Sequence, residues 1–436
     1  MFPGLPLSTT ARLTKVPKDD SSTNKNSTES RIAIKTHPKS TSTLTSVRTP
    51  SEIRFVRSRI FYSRPTFNSK GAVRLGLRHV HILNRNTDVN SSDQNVHFLK
   101  YVFPRQFGLH NVFTSFVDSR ETTQPFKDYT LREQEIDQQM KKQKPNKKLK
   151  IPKRLRGAPT EIIQCIRKAH SQISYVELLR YYCPTPLSDI EKGNNLAPDN
   201  YASYASHSFE VAAFCKAVLR KLVRQSYWGD GDDGIHNQSI ILNAITDFIS
   251  KRKFESSSLH DILCNIRVSA IPWLQPPGLT GNMSRTDFEK RKELLAEFVY
   301  YIFDSILIPL IRSNFHVTES NNDKNRLFYF RLDVWHAITT PAFKELKNDM
   351  YQELPPDSVK KLLSIRKLGY SNVRLLPKIN SFRPIMNLKR RPEYLHYGKR
   401  LLGSSINSML TPVYKALQYE AVRHVPMIRL PWLNDV

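Results

Sequence analysis

The middle of the chain carries apolar residues at the spacing of an amphipathic helix. Val211, Phe214 and Val218 recur at i, i+3 and i+7, while Lys216 and Arg220 lie off that stripe. One face of this helix can therefore pack while the opposite face stays cationic. Similar patterns predict further helices over Ile240 to Ser250, Leu259 to Ile266 and Asp287 to Phe303. We expect the chain from Thr160 to Ile338 to be mainly helical.

Two pairs of short β-prone runs predict β-hairpins. Asn314 to Thr318 and Arg326 to Arg331 are rich in aromatic residues and are joined by a polar loop. Val373 to Lys378 and Ser381 to Leu388 flank a tight turn. Aromatic and basic residues alternate along the second strand of the first hairpin. This alternation suits base stacking flanked by phosphate contacts, and it equally suits an ordinary half-buried strand, so both interpretations stay open.

The N-terminal third of the chain changes character twice. Residues 1–52 form a Ser-, Thr- and Lys-rich leader that we expect to be disordered. From Arg54, the runs RFVRSRIFYSR and VRLGLRHVHIL alternate apolar and basic positions, which predicts short strands with an Arg- and His-rich face. Residues 141–157 form a basic linker, in which Lys141 to Arg156 hold nine basic residues and no acidic one. This block is either a solvated linker that doubles as a nuclear localisation signal or a phosphate contact that orders on RNA.

The charge of the chain indicates the class of partner. Its 436 residues include 67 Lys and Arg against 39 Asp and Glu, a formal net charge of +28. Such a field attracts polyanions, so nucleic acid is the first partner to consider. A membrane is disfavoured because no stretch of 18 uncharged apolar residues occurs.

Motifs of common enzyme classes are missing from the sequence. Neither a nucleophile elbow nor a P-loop occurs, so hydrolase and NTPase functions lack support. The acidic run Gly229 to Gly234 is rich in glycine, and we expect it to be a solvated turn rather than a catalytic or metal site.

Several motifs resemble those of telomerase reverse transcriptase. FHVTES from Phe315, KNRLFYFR from Lys324 and VWHAI from Val334 are similar to the T motif of that family. VRLLPK from Val373 and SFRPIMNL from Ser381 resemble motifs 1 and 2 of its fingers.

The resemblance covers most of the chain. Phe209 to Leu274 resembles the QFP region of the family's RNA-binding domain. SRIFYSR, GLRHVHILN and FPRQFGLHNVF are similar to fungal versions of the segments that open that domain. Together the motifs run in the family order from about Arg54 to about Arg423. A retroelement polymerase fits less well, because the T motif and the QFP-like region are telomerase features.

The resemblance implies a fold and a domain order. We expect a mainly α fold with small β-hairpins, the telomerase RNA-binding domain, followed by an incomplete α+β segment of the reverse-transcriptase fingers. Residues 53–140 would form the N-terminal part of the RNA-binding domain, 158–345 its QFP-like region and T motif, and 346–424 the partial fingers. Residues 425–436 depart from the family pattern, which suggests a truncated gene model, a retained intron or an alternative splice form.

The resemblance and the basic segments together assign candidate site residues. Those expected to bind RNA are Arg59, Phe61, Tyr62, Arg220, Lys221, Arg224, Lys251, Arg252, Lys324, Arg326, Tyr329 and Arg331. Single-stranded RNA requires aromatic faces for unstacked bases and cations for phosphates. Lys378 and Arg383 match fingers residues that would contact an incoming nucleoside triphosphate, with plain surface charge as the alternative. Phe328 and Phe330 should alternate in side with Tyr329 and pack in the core.

The function implied for this chain is binding of telomerase RNA. The full-length family enzyme is an RNA-directed DNA polymerase that adds telomeric repeats to chromosome 3′ ends, uses Mg²⁺, binds telomeric DNA and dNTP, and acts at telomeres in the nucleus. Its metal-binding aspartates lie in motifs A and C, downstream of motif 2. We therefore expect no catalytic residue and no metal ligand in this chain. The alternatives are a regulatory splice form that sequesters the RNA and an incomplete part of an active telomerase reverse transcriptase.

Overall fold

The chain divides into two units, Met1–Thr45 and Ser46–Val436. The computed structural model describes residues 49–55, 57–77, 83, 92–109, 111–113, 136, 151–185, 201–275, 284–320, 326–365, 371–378, 381–391, 393–396 and 399–424. The first unit, and with it most of the predicted leader, lies outside the described residues. The fold described below is that of the second unit.

The described part of the second unit is mainly helical, as the sequence predicted. Its helices are α1 (Ser92–Val102), α2 (Ala158–Gln172), α3 (Tyr175–Tyr182), α4 (Ser208–Leu222), α5 (Gly231–Ser250), α6 (Leu259–Leu263), α7 (Arg285–Tyr301), α8 (Ile308–Asn314), α9 (Leu332–Met350), α10 (Pro356–Ile365) and α11 (Ile406–His424). Its strands are β1 (Phe315–Glu319), β2 (Leu327–Arg331), β3 (Val373–Pro377), β4 (Phe382–Met386), β5 (Glu393–His396) and β6 (Lys399–Leu402). They pair as three antiparallel hairpins, β1–β2, β3–β4 and β5–β6.

Helix α4 confirms the amphipathic pattern. Val211, Phe214, Val218 and Leu222 are all buried, and Arg220 is exposed. The apolar stripe therefore packs into the main core, and the basic side of the helix faces solvent.

Helix α5 begins earlier than the sequence predicted. The acidic run that we expected to be a solvated turn supplies its start, with Asp230 at the N-cap and Asp232 and Asp233 in the first turn. Negative charge is favourable at a helix N-terminus, which explains the correction. Gly229 precedes the helix with φ +133°, and a Cβ there would lie 2.9 Å from the carbonyl oxygen of Ala270. This position requires glycine.

One long helical stretch forms the centre of the core. Helices α7 and α8 are joined by a buried π-helical turn, Ile302–Leu307, so the stretch Arg285–Asn314 is continuous. By length and composition this stretch could cross a membrane, but 94% of its most apolar window is buried inside the protein. Burial within the body identifies it as a core helix.

The hairpin β1–β2 has both faces covered. Its register pairs Phe315 with Arg331 and Val317 with Tyr329. Phe315, Val317 and Tyr329 belong to the main core, which extends from Ile53 to Tyr329. Phe330 belongs to a second, smaller core with Val334, Trp335, Ile338 and Leu375. The hairpin is thus a layer between two cores rather than a half-exposed ribbon.

Where the structure describes it, the segment before α1 does not form the strands that we expected. Among described residues 49–77, the alternating pattern gives a short 3₁₀ helix, Arg57–Ile60, and isolated bridges such as Phe61 with Val317. Arg57 and Arg59 are buried whereas Arg54, Arg64 and Arg74 are exposed, so the basic positions do not share one solvent face. The alternation therefore reflects individual core contacts.

The basic linker is docked where the structure describes it. Residues 141–150 lie outside the described residues. In the rest, Leu155 is fully buried, and Arg154 Nε lies 3.1 Å from Asp287 Oδ1. Residues 151–157 are thus attached to the body through Leu155 and to the start of α7 through Arg154, while their basic side chains stay exposed.

The hairpin β3–β4 is attached to the second core. Leu375 is buried there, and the Phe382 ring contacts Trp335 at a centroid distance of 5.9 Å. The second core thus spans the predicted boundary between 345 and 346.

Candidate nucleic-acid interface

Strand β2 contacts the ends of three helices, α3, α4 and α5. The Ser206 amide, just before α4, donates to the Tyr329 carbonyl at 2.8 Å. The Tyr329 hydroxyl donates to the Ile249 carbonyl at 2.7 Å, in the last turn of α5. Arg331 Nη1 donates to the Cys183 carbonyl at 2.9 Å, directly after α3. The last carbonyls of a helix have no intrahelical partner, so Tyr329 and Arg331 satisfy two helix C-termini.

This arrangement corrects the expectation that Tyr329 and Arg331 contact RNA. Their exposed fractions are 1% and 4%. Arg331 is also held by Asp333, with Nη2 to Oδ2 at 2.5 Å. Burial raises the pKa of Tyr329 well above its ordinary value. Neither the Tyr329 ring nor the Arg331 guanidinium faces solvent. Both side chains therefore stabilise the fold and do not form a binding surface. Phe330 is buried and Phe328 is half-buried, in line with their predicted core packing.

Three exposed aromatic rings lie beside the helix ends that β2 contacts. Tyr181 is 79% exposed near the end of α3, Phe209 is 68% exposed at the start of α4, and Phe254 is 78% exposed after α5. Phe209 is backed by His207, whose ring stacks on it at a centroid distance of 5.4 Å. Because their helix ends all contact β2, the rings share one end of the helical body. Exposed rings are the faces on which unpaired bases stack.

The buried Arg57 side chain holds the basic turn that follows α5. Its guanidinium donates to the carbonyls of Lys251 at 2.7 Å, Arg252 at 2.5 Å and Glu255 at 3.1 Å. Burial lowers the pKa of Arg57, while the nearby Tyr329 and Glu255 oppose that effect. These bonds fix the backbone of the turn. Arg252 and Phe254 are consequently presented to solvent.

A second basic surface lies at the opposite end of the helical pair. Ser206 and Ile249 both contact Tyr329, so the start of α4 lies beside the end of α5 and the two helices are antiparallel. Arg220, Lys221 and Arg224, all exposed, therefore lie at the far end from Lys251 and Arg252. Helix α4, with 15 residues, spans about 22 Å. The predicted RNA-binding cations thus form two separate patches.

The predicted N-terminal contacts are only partly accessible. Arg59 is buried and forms an ion pair with Asp304, which corrects its expected RNA role. Phe61 and Tyr62 are half-buried. Phe61 packs on the main core. One face of the Tyr62 ring is covered by the Arg374 guanidinium, whose Cζ lies 4.0 Å from the ring centroid.

The remaining predicted site residues lie on the tips of the hairpins. Lys324 lies outside the described residues, and Arg326 is exposed at the start of β2. In β3–β4, Leu376 lies opposite Arg383. Lys378, two positions after Leu376, continues the same face because side chains alternate along a strand. Lys378 and Arg383 therefore share one face of the hairpin, and Arg383 is exposed.

Sequence reasoning missed the exposed rings Tyr181, Phe209 and Phe254, and it missed the buried Arg57. Phe254 carried a usable signal, since an aromatic residue directly follows three basic ones. Lys253 Nζ lies 5.3 Å from its ring centroid, a cation–π distance. Nothing in the sequence separates the buried Arg57 from the exposed arginines around it.

Comparisons with known proteins agree with this architecture. A family model described as "Telomerase ribonucleoprotein complex - RNA binding domain" matches residues 210–346. Telomerase reverse transcriptase from Rattus norvegicus is 26% identical over 275 residues, which cover 60% of this chain and 24% of the relative. The Oryza sativa protein of that name is 27% identical over 270 residues, which cover 55% of this chain and 21% of the relative. The chain thus spans about a quarter of the length of these curated relatives.

A solved structure shares the fold over most of the chain. Apo telomerase from Candida tropicalis, truncated from its C-terminal domain, superposes with a TM-score of 0.52 and 19% identity, covering 84% of this chain and 57% of that one. The family match shows a telomerase RNA-binding domain over residues 210–346, and the relatives show that the chain is similar to telomerase reverse transcriptase.

Proposed function

We propose that this chain binds telomerase RNA at the end of the helical body where α3, α4 and α5 meet β2. The observation that carries the proposal is the exposure of Tyr181, Phe209 and Phe254 around that end, inside a chain of charge +28. A soluble protein normally buries such rings. Rings next to cations hold unpaired bases and their phosphates, and telomerase RNA is the partner that the family indicates.

The cations of the chain have a different role in the proposal. Arg252 lies next to Phe254 and would position the RNA backbone there. Arg220, Lys221 and Arg224, at the far end of α4, would contact a more distant part of the same RNA. Phosphate contacts carry no sequence information and make affinity fall with salt.

A binding experiment distinguishes the contribution of the aromatic rings to RNA affinity from that of the cations. Phe254→Ala should weaken binding of telomerase RNA by about 1–3 kcal/mol, the value of one base–aromatic stack. It should leave binding of a duplex of equal length unchanged. Arg220→Ala with Lys221→Ala should weaken both ligands and lower the salt slope.

The matched control is Tyr419→Ala, which removes an exposed ring from α11. Affinity should not change in this control. Equal affinity of the Phe254→Ala and Tyr419→Ala variants for telomerase RNA would remove the ring surface from the proposal.

The activity of the whole protein is proposed on the basis of the family alone. We infer RNA-directed DNA synthesis with Mg²⁺, dNTP and telomeric DNA, carried out at telomeres in the nucleus. Lys378 and Arg383 would contact the triphosphate, since they share one face of β3–β4. Among the described residues, no three His, Cys, Asp or Glu side chains are grouped as a metal ion requires. The proposal for this chain is limited to binding.

A further inference from the structure

Four distant segments of the chain meet at the carboxylate of Glu319, the last residue of β1. The Tyr62 hydroxyl donates to Oε2. Arg374 Nη2, from β3, lies 3.0 Å from Oε1. Lys253 Nζ, from the basic turn, lies 3.4 Å from the same oxygen. The Arg374 guanidinium also covers the Tyr62 ring, so all of these groups form one contact network, which we call the Glu319 junction.

The junction keeps a largely buried carboxylate ionised. The Glu319 side chain is only 14% exposed. Burial acts to raise the pKa of Glu319, but the hydrogen bond from Tyr62 and the charges of Arg374 and Lys253 outweigh it and hold the pKa below its ordinary value. A buried charge persists only where partners of this kind are fixed around it. Removing one partner should therefore weaken the others.

Tyr62 enters the junction with an unusual backbone. Its φ is +55°, the only positive value among the described non-glycine residues. The Tyr62 amide donates to the Val317 carbonyl at 2.9 Å, which holds this conformation against β1. Left-handed backbone at a bulky residue is costly and persists where surrounding contacts impose it. The backbone is thus fixed in the conformation that brings the phenol to Glu319.

The hairpin β3–β4 is held on both faces. Arg374 and Leu375 are consecutive, so their side chains point to opposite faces of the strand. Leu375 enters the second core, and Arg374 enters the Glu319 junction. The opposite face is held by the ionic contact of Arg374 with Glu319 and by the buried Leu376. An ionic hydrogen bond is directional, whereas an apolar contact is not.

We propose that Glu319 is a positioning residue that fixes the orientation of the β3–β4 hairpin, and so of Lys378 and Arg383, on the RNA-binding body. The role of these two cations toward a triphosphate rests on the function proposed above, but the position of the hairpin does not. Because Lys253 precedes Phe254, the same carboxylate also connects the hairpin with the proposed RNA surface.

Hydrogen exchange on the free chain tests the proposal. In Glu319→Gln and in Arg374→Ala, amides of β3 and β4 should exchange at least about tenfold faster, since hydrogen bonds between charged groups shift an opening equilibrium by about an order of magnitude. The matched control is Glu345→Gln, the same change at an exposed position of α9. Exchange should be unchanged there. The double variant should exchange no faster than Arg374→Ala alone, because both substitutions break one contact.

Two results would overturn the inference. One is unchanged exchange of β3 and β4 in Glu319→Gln. The other is equal acceleration of β1–β2, which would mean that Glu319 only stabilises its own hairpin. If the Glu319→Gln variant fails to fold, hydrogen exchange in Arg374→Lys tests the proposal instead. This substitution keeps the charge but loses the planar fork, so β3 and β4 should exchange faster than in the wild type and slower than in Arg374→Ala. Wild-type exchange in both Arg374 variants would also refute the proposal. No RNA is present, so the RNA-binding proposal is unaffected.

Discussion

His316 makes the stability of the fold depend on pH. It lies in β1, where its ring stacks on Trp335 at a centroid distance of 3.9 Å and an angle of 6°. Its Nδ1 lies 2.7 Å from the Ser63 carbonyl, so Nδ1 carries the proton and donates. Burial lowers the pKa of His316 to about 4, although the Ser63 carbonyl and Glu319 favour the charged form. The folded protein therefore holds the neutral ring.

The sign and size of the effect follow from these pKa values. The unfolded chain takes up a proton near pH 6.5, and the folded chain does so only near pH 4. Stability is thus complete above pH 6.5 and is lost as the pH falls toward 4. The difference between the two pKa values corresponds to about 3 kcal/mol in total. About 2 kcal/mol of this should already be lost between pH 7.5 and pH 5.

Urea unfolding followed by tryptophan fluorescence measures the effect directly, because Trp335 lies on the His316 ring. His316→Asn keeps a donor for the Ser63 carbonyl and removes the titration. It should lower stability at pH 7.5 and make the loss toward pH 5 about 2 kcal/mol smaller than in the wild type. His170 and His336, whose pKa values burial also lowers, contribute to the remaining slope.

The control is His260→Asn, at an exposed position. It should keep the wild-type pH dependence. A His316→Asn variant with the full wild-type slope, or a His316 ring that titrates near pH 6.5 by NMR in the folded chain, would refute this reasoning.

Three further substitutions test the structural roles of buried polar side chains. Tyr329→Phe should lower the unfolding free energy by about 1–2 kcal/mol in urea, because the Ile249 carbonyl loses its donor, while RNA affinity stays the same. Weaker RNA binding at unchanged stability would restore the RNA role first expected for this ring. Asp304→Asn should cost about 3–5 kcal/mol by the same assay, since it removes the negative charge that Arg59 faces in a buried ion pair. A neutral effect would contradict the importance of that ion pair. Arg57→Met should accelerate hydrogen exchange in the turn from Lys251 to Ser258, and unchanged exchange there would show that other contacts shape the turn.

The helical body could be predicted because its signal is local. The stripe from Val211 to Leu222 matches one face of a helix, and all four of its apolar positions are buried. The hairpin β1–β2 was also predicted close to its bounds, from aromatic runs around a polar loop. Both features depend on residues near one another in sequence.

The site could not be predicted in the same way, because exposure depends on distant contacts. Alternation along β2 predicts an open face only for a strand that is exposed on one side. Here the second core covers the side of β2 that faces away from the main core. Tyr329 and Arg331 are thus buried by segments that lie about 80 and 150 residues away. For the same reason, similar basic positions gave a buried Arg57 and an exposed Arg252. The motif order identified the family, but it did not show which side chains face solvent.

Competition binding tests the central claim most directly. The chain should be titrated with telomerase RNA at about 150 mM salt, against an unlabelled fully paired RNA of the same length and charge. If unpaired bases stack on Tyr181, Phe209 and Phe254, the duplex should compete weakly and telomerase RNA should stay bound. Equal displacement by the duplex would contradict the account, because binding would then come from charge alone.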